Sequence, residues 1–197
     1  MSVKSRRQEY AEVTRSAIVD AAVERFTMEG YARTSIDAIA EAARVTKGGV
    51  YHHFADKAEL FEAAFVLMEE RLLAAVEAGT AGLSDPWELI ATGIDIYLEQ
   101  CCTPDFRRIA LQDAPGALGW DRWKQVEERY FLSVLRAALD LLAADGQLLL
   151  PADDLTARTL LGALAEAGLA VAAAEQPEVE KRRAGHLVLR LFRGLAH

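Results

Sequence analysis

Cysteine, membrane-length apolar runs, hairpin turns and phosphate loops are all scarce in this chain of 197 residues, and each shortage removes a class of protein. The only two cysteines are adjacent, Cys101 and Cys102, so no disulfide framework holds the fold and nothing points to an oxidising compartment. A cytoplasmic location is expected. No apolar run approaches the roughly 18 residues of a membrane span, and the basic start with Lys4, Arg6 and Arg7 leads into no apolar stretch, so neither a membrane partner nor a secretory leader is expected. Asn-Gly and Asp-Gly pairs between alternating stretches are missing; Asp145-Gly146 closes a helical pattern instead. Glycine-rich nucleotide loops are also absent, and His186 and His197 have no Ser or Cys nucleophile motif beside them. No catalytic residue, cofactor or metal is expected.

What remains is an apolar, helix-patterned chain, 52% apolar and 26% charged, with a net charge of −8. That average argues against a general polyanion binder, yet it is uneven. Residues 1–57 hold nine Lys/Arg against eight Asp/Glu, whereas residues 58–197 hold 13 against 22. Any nucleic-acid contact belongs in the first third, and residue 57 marks the expected lobe boundary.

Apolar residues recur at three and four, which predicts an all-α chain of nine helices. A first helix is expected from a Thr14 cap to Gly30, carrying Ile18, Ala22 and Phe26 on one stripe. A short second starts at a Thr34/Ser35 cap and a third runs from Thr46 to near Phe54, making a helix-turn-helix candidate. Asp56 and Glu59 have capping-box spacing and open a long helix ending by Gly79 to Gly82. Pro86 begins the next, to Thr103-Pro104, followed by a shorter piece over 105–112. Pro115-Gly116 to Gly119 is expected to break the pattern before a long helix over 121–144; the last two run from Asp153/Asp154 to Glu175 and from Pro177 to Ala196.

The segment 34–57, TSIDAIAEAARVTKGGVYHHFADK, carries the chemistry. A recognition helix starts beside a phosphate, keeps small residues for close approach and adds a few long polar or aromatic ones. Thr46 caps such a helix and Lys47 adds charge. Gly48 and Gly49 each cost about 1 kcal/mol against Ala in a helix, and close approach to DNA is one reason to keep them. Tyr51, His52 and His53 offer donors, while Val50 and Phe54 point inward. Lys57 opposes the macrodipole at its helix start, which a phosphate there would explain. Thr34 and Ser35 complete the candidate DNA contacts. A short cationic helix with aromatics also fits a merely solvated face. Metal binding by His52-His53 is disfavoured, because helix neighbours diverge by about 100°.

The run from the first helix through TSIDAIAEAARVTKGGVYHHFADKAELF resembles the DNA-binding lobe of the TetR family of bacterial transcriptional regulators, in its helix-turn-helix spacing, its Lys-Gly pair, its Tyr-x-His-Phe element and the Lys that follows. The resemblance covers about 47 residues and implies an all-helical homodimer: residues 1–57 as the lobe that reads a double-stranded DNA operator, and residues 58–197 as a six-helix ligand-binding and dimerisation lobe. Two positions depart from the family pattern. Arg44 stands where a turn glycine is usual, and Gly49 where a base-reading side chain often sits. The stretch PGALGWDRW is similar to that of one subset of members.

Beyond residue 57 the reading rests on pattern. Leu160 to Ala174 is small and apolar nearly all round, and the final helix carries an apolar stripe, so both suit a four-helix dimer face. Leu161, Leu164 and Gly168 are its candidates on one helix, and Leu187, Val188, Leu191 and Phe192 on the other. Mid-chain aromatic and sulfur-bearing residues form the candidate effector site: Phe65, Met68, Tyr97 and Cys101, then Gln112, Asp113, Trp120 and Trp123. The expected function is a repressor released from a palindromic operator by a small apolar or aromatic effector. The rival is an all-helical enzyme or carrier that works through its aromatic pocket and binds no DNA.

Overall fold

The computed structural model describes residues 6–196, with the backbone alone at Arg7; Lys4, His197 and the Arg7 side chain lie outside the described residues. Side-chain caps set most helix starts. Oxygens of Ser35, Thr46, Asp56, Asp85 and Asp153 accept the amide three residues on, at 2.8–3.1 Å. Each satisfies one of the donors a helix start leaves open. They begin α2 (Ile36–Ala42), α3 (Lys47–His53), α4 (Lys57–Thr80), α5 (Pro86–Gln100) and α8 (Asp154–Ala173). Glu59 also reaches back, accepting from the Ala55 amide at 2.6 Å.

Three expected boundaries differ. Thr14 is no cap: α1 spans Arg6–Glu29, and the Thr14 hydroxyl donates to the Tyr10 carbonyl within it. Pro115-Gly116 does not break the chain. Residues 104–118 form one continuous helix, α6, whose middle, Arg107–Asp113, is π-helical, and Pro115 falls where π bonding gives way to the α-helical Ala114–Leu118. The break is Gly119 alone, at φ +83°. α7 (Trp120–Ala144) follows, and α9 (Pro177–Arg193) ends three residues before Ala196.

Among the described residues the protein is therefore nine helices and no strands, with one isolated bridge between Leu148 and Ala196. α1 packs on α2, α4 and α6, and α2 holds α3. α4 then runs on to pack against α5 and α7, while α5, α7, α8 and α9 bundle together. Phe26 of α1 and Phe61 of α4 meet edge to face at 4.9 Å, both fully buried, and join the two regions through one core. The expectation about apolar runs needs amendment: α8 is long and apolar enough to cross a membrane by length and composition, with a mean hydropathy of 1.3. Its Ala157, Leu160, Ala165, Val171 and Ala172 are buried inside this fold.

Candidate functional site

The α2–α3 unit is anchored from one side and bare on the other. Val50 is fully buried and Phe54 is 1% exposed, so the inward face of α3 is spent on the core. Thr46, Lys47, Gly48, Tyr51 and His52 are exposed, and His53 is half-buried. Lys47 is paired with Asp37 of α2 at 2.8 Å, with both groups in solvent, and this contact raises the lysine pKa. Burial, then His52 and Arg15, lower the His53 pKa and favour its neutral form. Arg44 closes the turn between the helices at φ 56°, the left-handed conformation that an L-residue adopts at a cost of about 1 kcal/mol.

Neither glycine of α3 is required by the fold. A Cβ at Gly48 meets only the Thr46 hydroxyl, at 3.8 Å, and one at Gly49 makes ordinary contacts with Thr46 and Val45 from 3.4 Å outward. The space beside both positions is therefore open on the solvent side of α3.

Two candidate DNA contacts are internal struts instead. Thr34 is 2% exposed, and its hydroxyl donates to the Gly30 carbonyl at 2.9 Å. The Lys57 ammonium donates to the carbonyls of Tyr31 (2.9 Å) and Thr34 (3.2 Å) and lies 4.4 Å from the Tyr31 ring centre. These acceptors account for a lysine at a helix start. Ser35 is exposed as the cap of α2.

The candidate effector residues scatter. Phe65, Met68 and Trp123 are core, with the Trp123 indole donating to the Ala110 carbonyl at 3.0 Å. Trp120 is 56% exposed and Gln112 donates to the Ala172 carbonyl. Cys101 is buried, which pushes its thiol pKa up. Asp113 points towards the DNA-facing region: its carboxylate accepts the Tyr31 amide at 2.7 Å and the Arg108 guanidinium at 3.1 Å. Thus the π-helical part of α6 is tied to the α1–α2 turn.

A cavity of about 240 Å³ lies among α4, α5, α7 and α8, with Phe192 of α9 also in its wall. Of the predicted effector residues only Tyr97 lines it, and the rest of its wall is mostly aliphatic. Sequence reasoning missed its two acids, Glu69 of α4 and Glu127 of α7, which are 3% and 6% exposed. A signal was present. Glu69 interrupts the inward stripe Phe65, Met68, Leu72, Val76, and Glu127 follows Trp123 by four. Burial, then the charge of Glu127, raises the Glu69 pKa well above its ordinary value, and burial lifts Glu127 to about 7. Among the described residues the Glu127 Oε2 has no hydrogen-bond partner, while the Tyr97 hydroxyl sits over Gly168 beside the Cys101 thiol.

The predicted dimer residues divide in the same way. Leu161, Val188 and Phe192 are buried in their own chain, and Leu161, Leu164 and Phe192 line the cavity. Gly168 is packed under Tyr97, whose phenol a Cβ there would overlap. Leu187 and Leu191 of α9 remain outward, at 60% and 48% exposure, with Leu155 of α8 at 74%.

Comparisons with known proteins agree on the chain's kinship. Residues 18–64 match the model for bacterial regulatory proteins of the tetR family, and residues 87–195 match a tetracyclin repressor-like C-terminal domain. The Tn10 transposon TetC protein of Escherichia coli is 28% identical over 148 residues, 75% of each chain. The HTH-type transcriptional regulator AcrR of Shigella flexneri is 33% identical over 103 residues, 52% of this chain and 48% of that protein. A TetR-family transcriptional regulator of Pectobacterium atrosepticum superposes with a TM-score of 0.84 at 28% identity, covering 98% of both chains. With nine helices among the described residues, a helix-turn-helix at α2–α3 and both family models matched, the chain belongs to the TetR family of bacterial regulatory proteins.

Proposed function

We propose that this transcriptional regulator is a repressor that leaves its operator when an effector fills the cavity among α4, α5, α7 and α8. Residues 1–57 act as the DNA-binding lobe and residues 58–197 as the lobe for effector and dimerisation. α3 enters the major groove with Thr46, Lys47 and Tyr51 against phosphates, His52 beside them and Gly48 allowing close approach. The observation that carries this is the pair of glycines on α3 that no internal contact demands.

One helix of seven residues reads too little DNA alone. The exposed leucines of α8 and α9 supply the pairing surface, Leu155, Leu187 and Leu191 in place of the buried candidates. A two-fold dimer then sets two α3 helices one DNA turn, about 34 Å, apart. α4 is the lever, since it is capped beside α3 and carries Glu69 into the cavity. Lys57 at its start holds the α1–α2 turn, and Asp113 holds the same turn from α6. Effector binding that shifts α4 or α6 therefore moves the recognition helices, and effector and DNA weaken each other reciprocally, typically by 1–3 kcal/mol.

Selection of bound duplexes from a random pool by the purified protein tests the reading. A palindrome with half-sites about one turn apart, bound with steep salt dependence, is expected. No enriched sequence from a folded protein at several salt concentrations contradicts it.

A further inference from the structure

Two carboxylates without a cation are out of place in a cavity walled by aliphatic and aromatic groups. Glu69 and Glu127 sit on helix faces whose neighbours are core residues, so packing alone favours an apolar side chain at both positions. Among the described residues no Lys, Arg or His lines the cavity. Lys124, one turn before Glu127, draws its pKa down, yet burial outweighs it and Glu128 adds to the rise. Among the described residues the Glu127 Oε2 has no hydrogen-bond partner inside the wall. Buried polar groups are ordinarily satisfied, and a set that is not is one that an arriving group completes.

We propose that the effector is an amphiphilic organic cation, an ammonium group on an apolar body, with the ammonium held by Glu69 and Glu127 and the body against Ile94, Phe131 and Leu161. This rests on the reading of the chain as an effector-controlled regulator. An anionic ligand finds no Lys, Arg or His among the described lining residues and would be repelled by either acid once ionised. A neutral one supplies no charge to either acid and gains chiefly apolar contact. An ammonium ion supplies the missing charge and donors, and the rings of Tyr97 and Phe131 in the same wall favour a cation further. The modest volume, about 240 Å³, suits a body no larger than a ring with a short chain. Because burial favours the protonated form of each acid, entry of the cation favours the carboxylate form and releases a proton to solvent.

Three probes with one body and different heads isolate the effect: 4-phenylbutylamine, 4-phenylbutanol and 4-phenylbutyrate, titrated calorimetrically into the full-length protein at about pH 7.5. The amine is expected to bind about tenfold or more tighter than the alcohol, and the carboxylate weakest. Its apparent enthalpy should differ between phosphate and Tris in proportion to their ionisation enthalpies, whereas the alcohol's should not. E69Q and E127Q relieve a buried acid and keep its shape, so they should stay folded by circular dichroism; each should lose the amine's advantage and its buffer dependence while keeping the alcohol's affinity. Equal binding of amine and alcohol, tightest binding by the carboxylate, failure of the amine to bind the folded protein, or unchanged amine binding by both variants overturns the proposal. The duplex selection contains no amine, so a failed operator reading and a failed cation site are seen in separate experiments.

Discussion

The α2–α3 face and the cavity do their work with opposite arrangements of the same few residue types. On α3 the polar groups are exposed, the apolar Val50 and Phe54 are buried, and Lys47 spends its charge on Asp37 in solvent, where an ion pair is worth little. In the cavity Glu69 and Glu127 are buried within an apolar wall, and among the described residues the Glu127 Oε2 lacks a partner. A surface that meets a polyanion keeps its groups solvated and exchanges counterions. A pocket that selects one small molecule stores unsatisfied groups until the ligand arrives. The contrast teaches that, on the proposed function, the DNA face lies in one contiguous segment, whereas the cavity is assembled from helices far apart in the chain.

Breaking the first half of the comparison gives the largest expected effect. G48L fills the space kept open on α3 and should weaken duplex binding roughly a hundredfold, equivalent to about 2.7 kcal/mol. The thermal midpoint should hold or rise, because Leu is the better helix former by about 0.8 kcal/mol. Gel-shift titration and a melting curve check both, and duplex affinity equal to that of the parent would remove close approach from the account.

The second half is sharpened by pH. Glu127 has a folded pKa raised to about 7 from 4.5, so the folded chain binds more protons than the unfolded one between those values and loses stability as pH rises through them. E127Q removes that loss. It should be more stable than the parent by about 2–3 kcal/mol at pH 8 and by little near pH 5, measured by urea unfolding. A difference that is flat with pH contradicts the assignment.

Smaller effects test the edges of the DNA face. R44G relieves the left-handed turn and should stabilise by about 1 kcal/mol in the same urea assay, with duplex binding kept. D37N frees Lys47 from its partner and should tighten duplex binding about threefold at low salt. Because both groups are solvated, the gain should fade as salt is raised. Fluorescence anisotropy over a salt series reads it.

How much of this was legible follows the same division. The caps Ser35, Thr46, Asp56 and Asp153 announce their helices because capping is a contact over three residues. Helix start signals failed at Thr14, where the hydroxyl bonds back into α1, and at Pro115, which a π-helical turn accommodates. Exposure on α3 was readable from its stripe. The struts were not, since the Lys57 ammonium meets carbonyls at Tyr31 and Thr34, more than 20 residues away. Aromatic content misled the search for the cavity, because Phe65, Met68 and Trp123 are apolar enough to be core. Glu69 and Glu127, one acid in each inward stripe, are the signals a rule against buried charge would have found. The final-helix stripe divides for a related reason: Val188 and Phe192 belong to the same periodic series as the exposed Leu187 and Leu191, and only the packed fold tells them apart.

The measurement that tests the central claim most directly is the affinity for the selected duplex with and without saturating 4-phenylbutylamine, paired with the affinity for the amine with and without saturating duplex. The account predicts that each ligand weakens the other by the same factor, between about 5-fold and 150-fold. Amine that binds fully while duplex affinity stays unchanged would contradict the link between the cavity and α3.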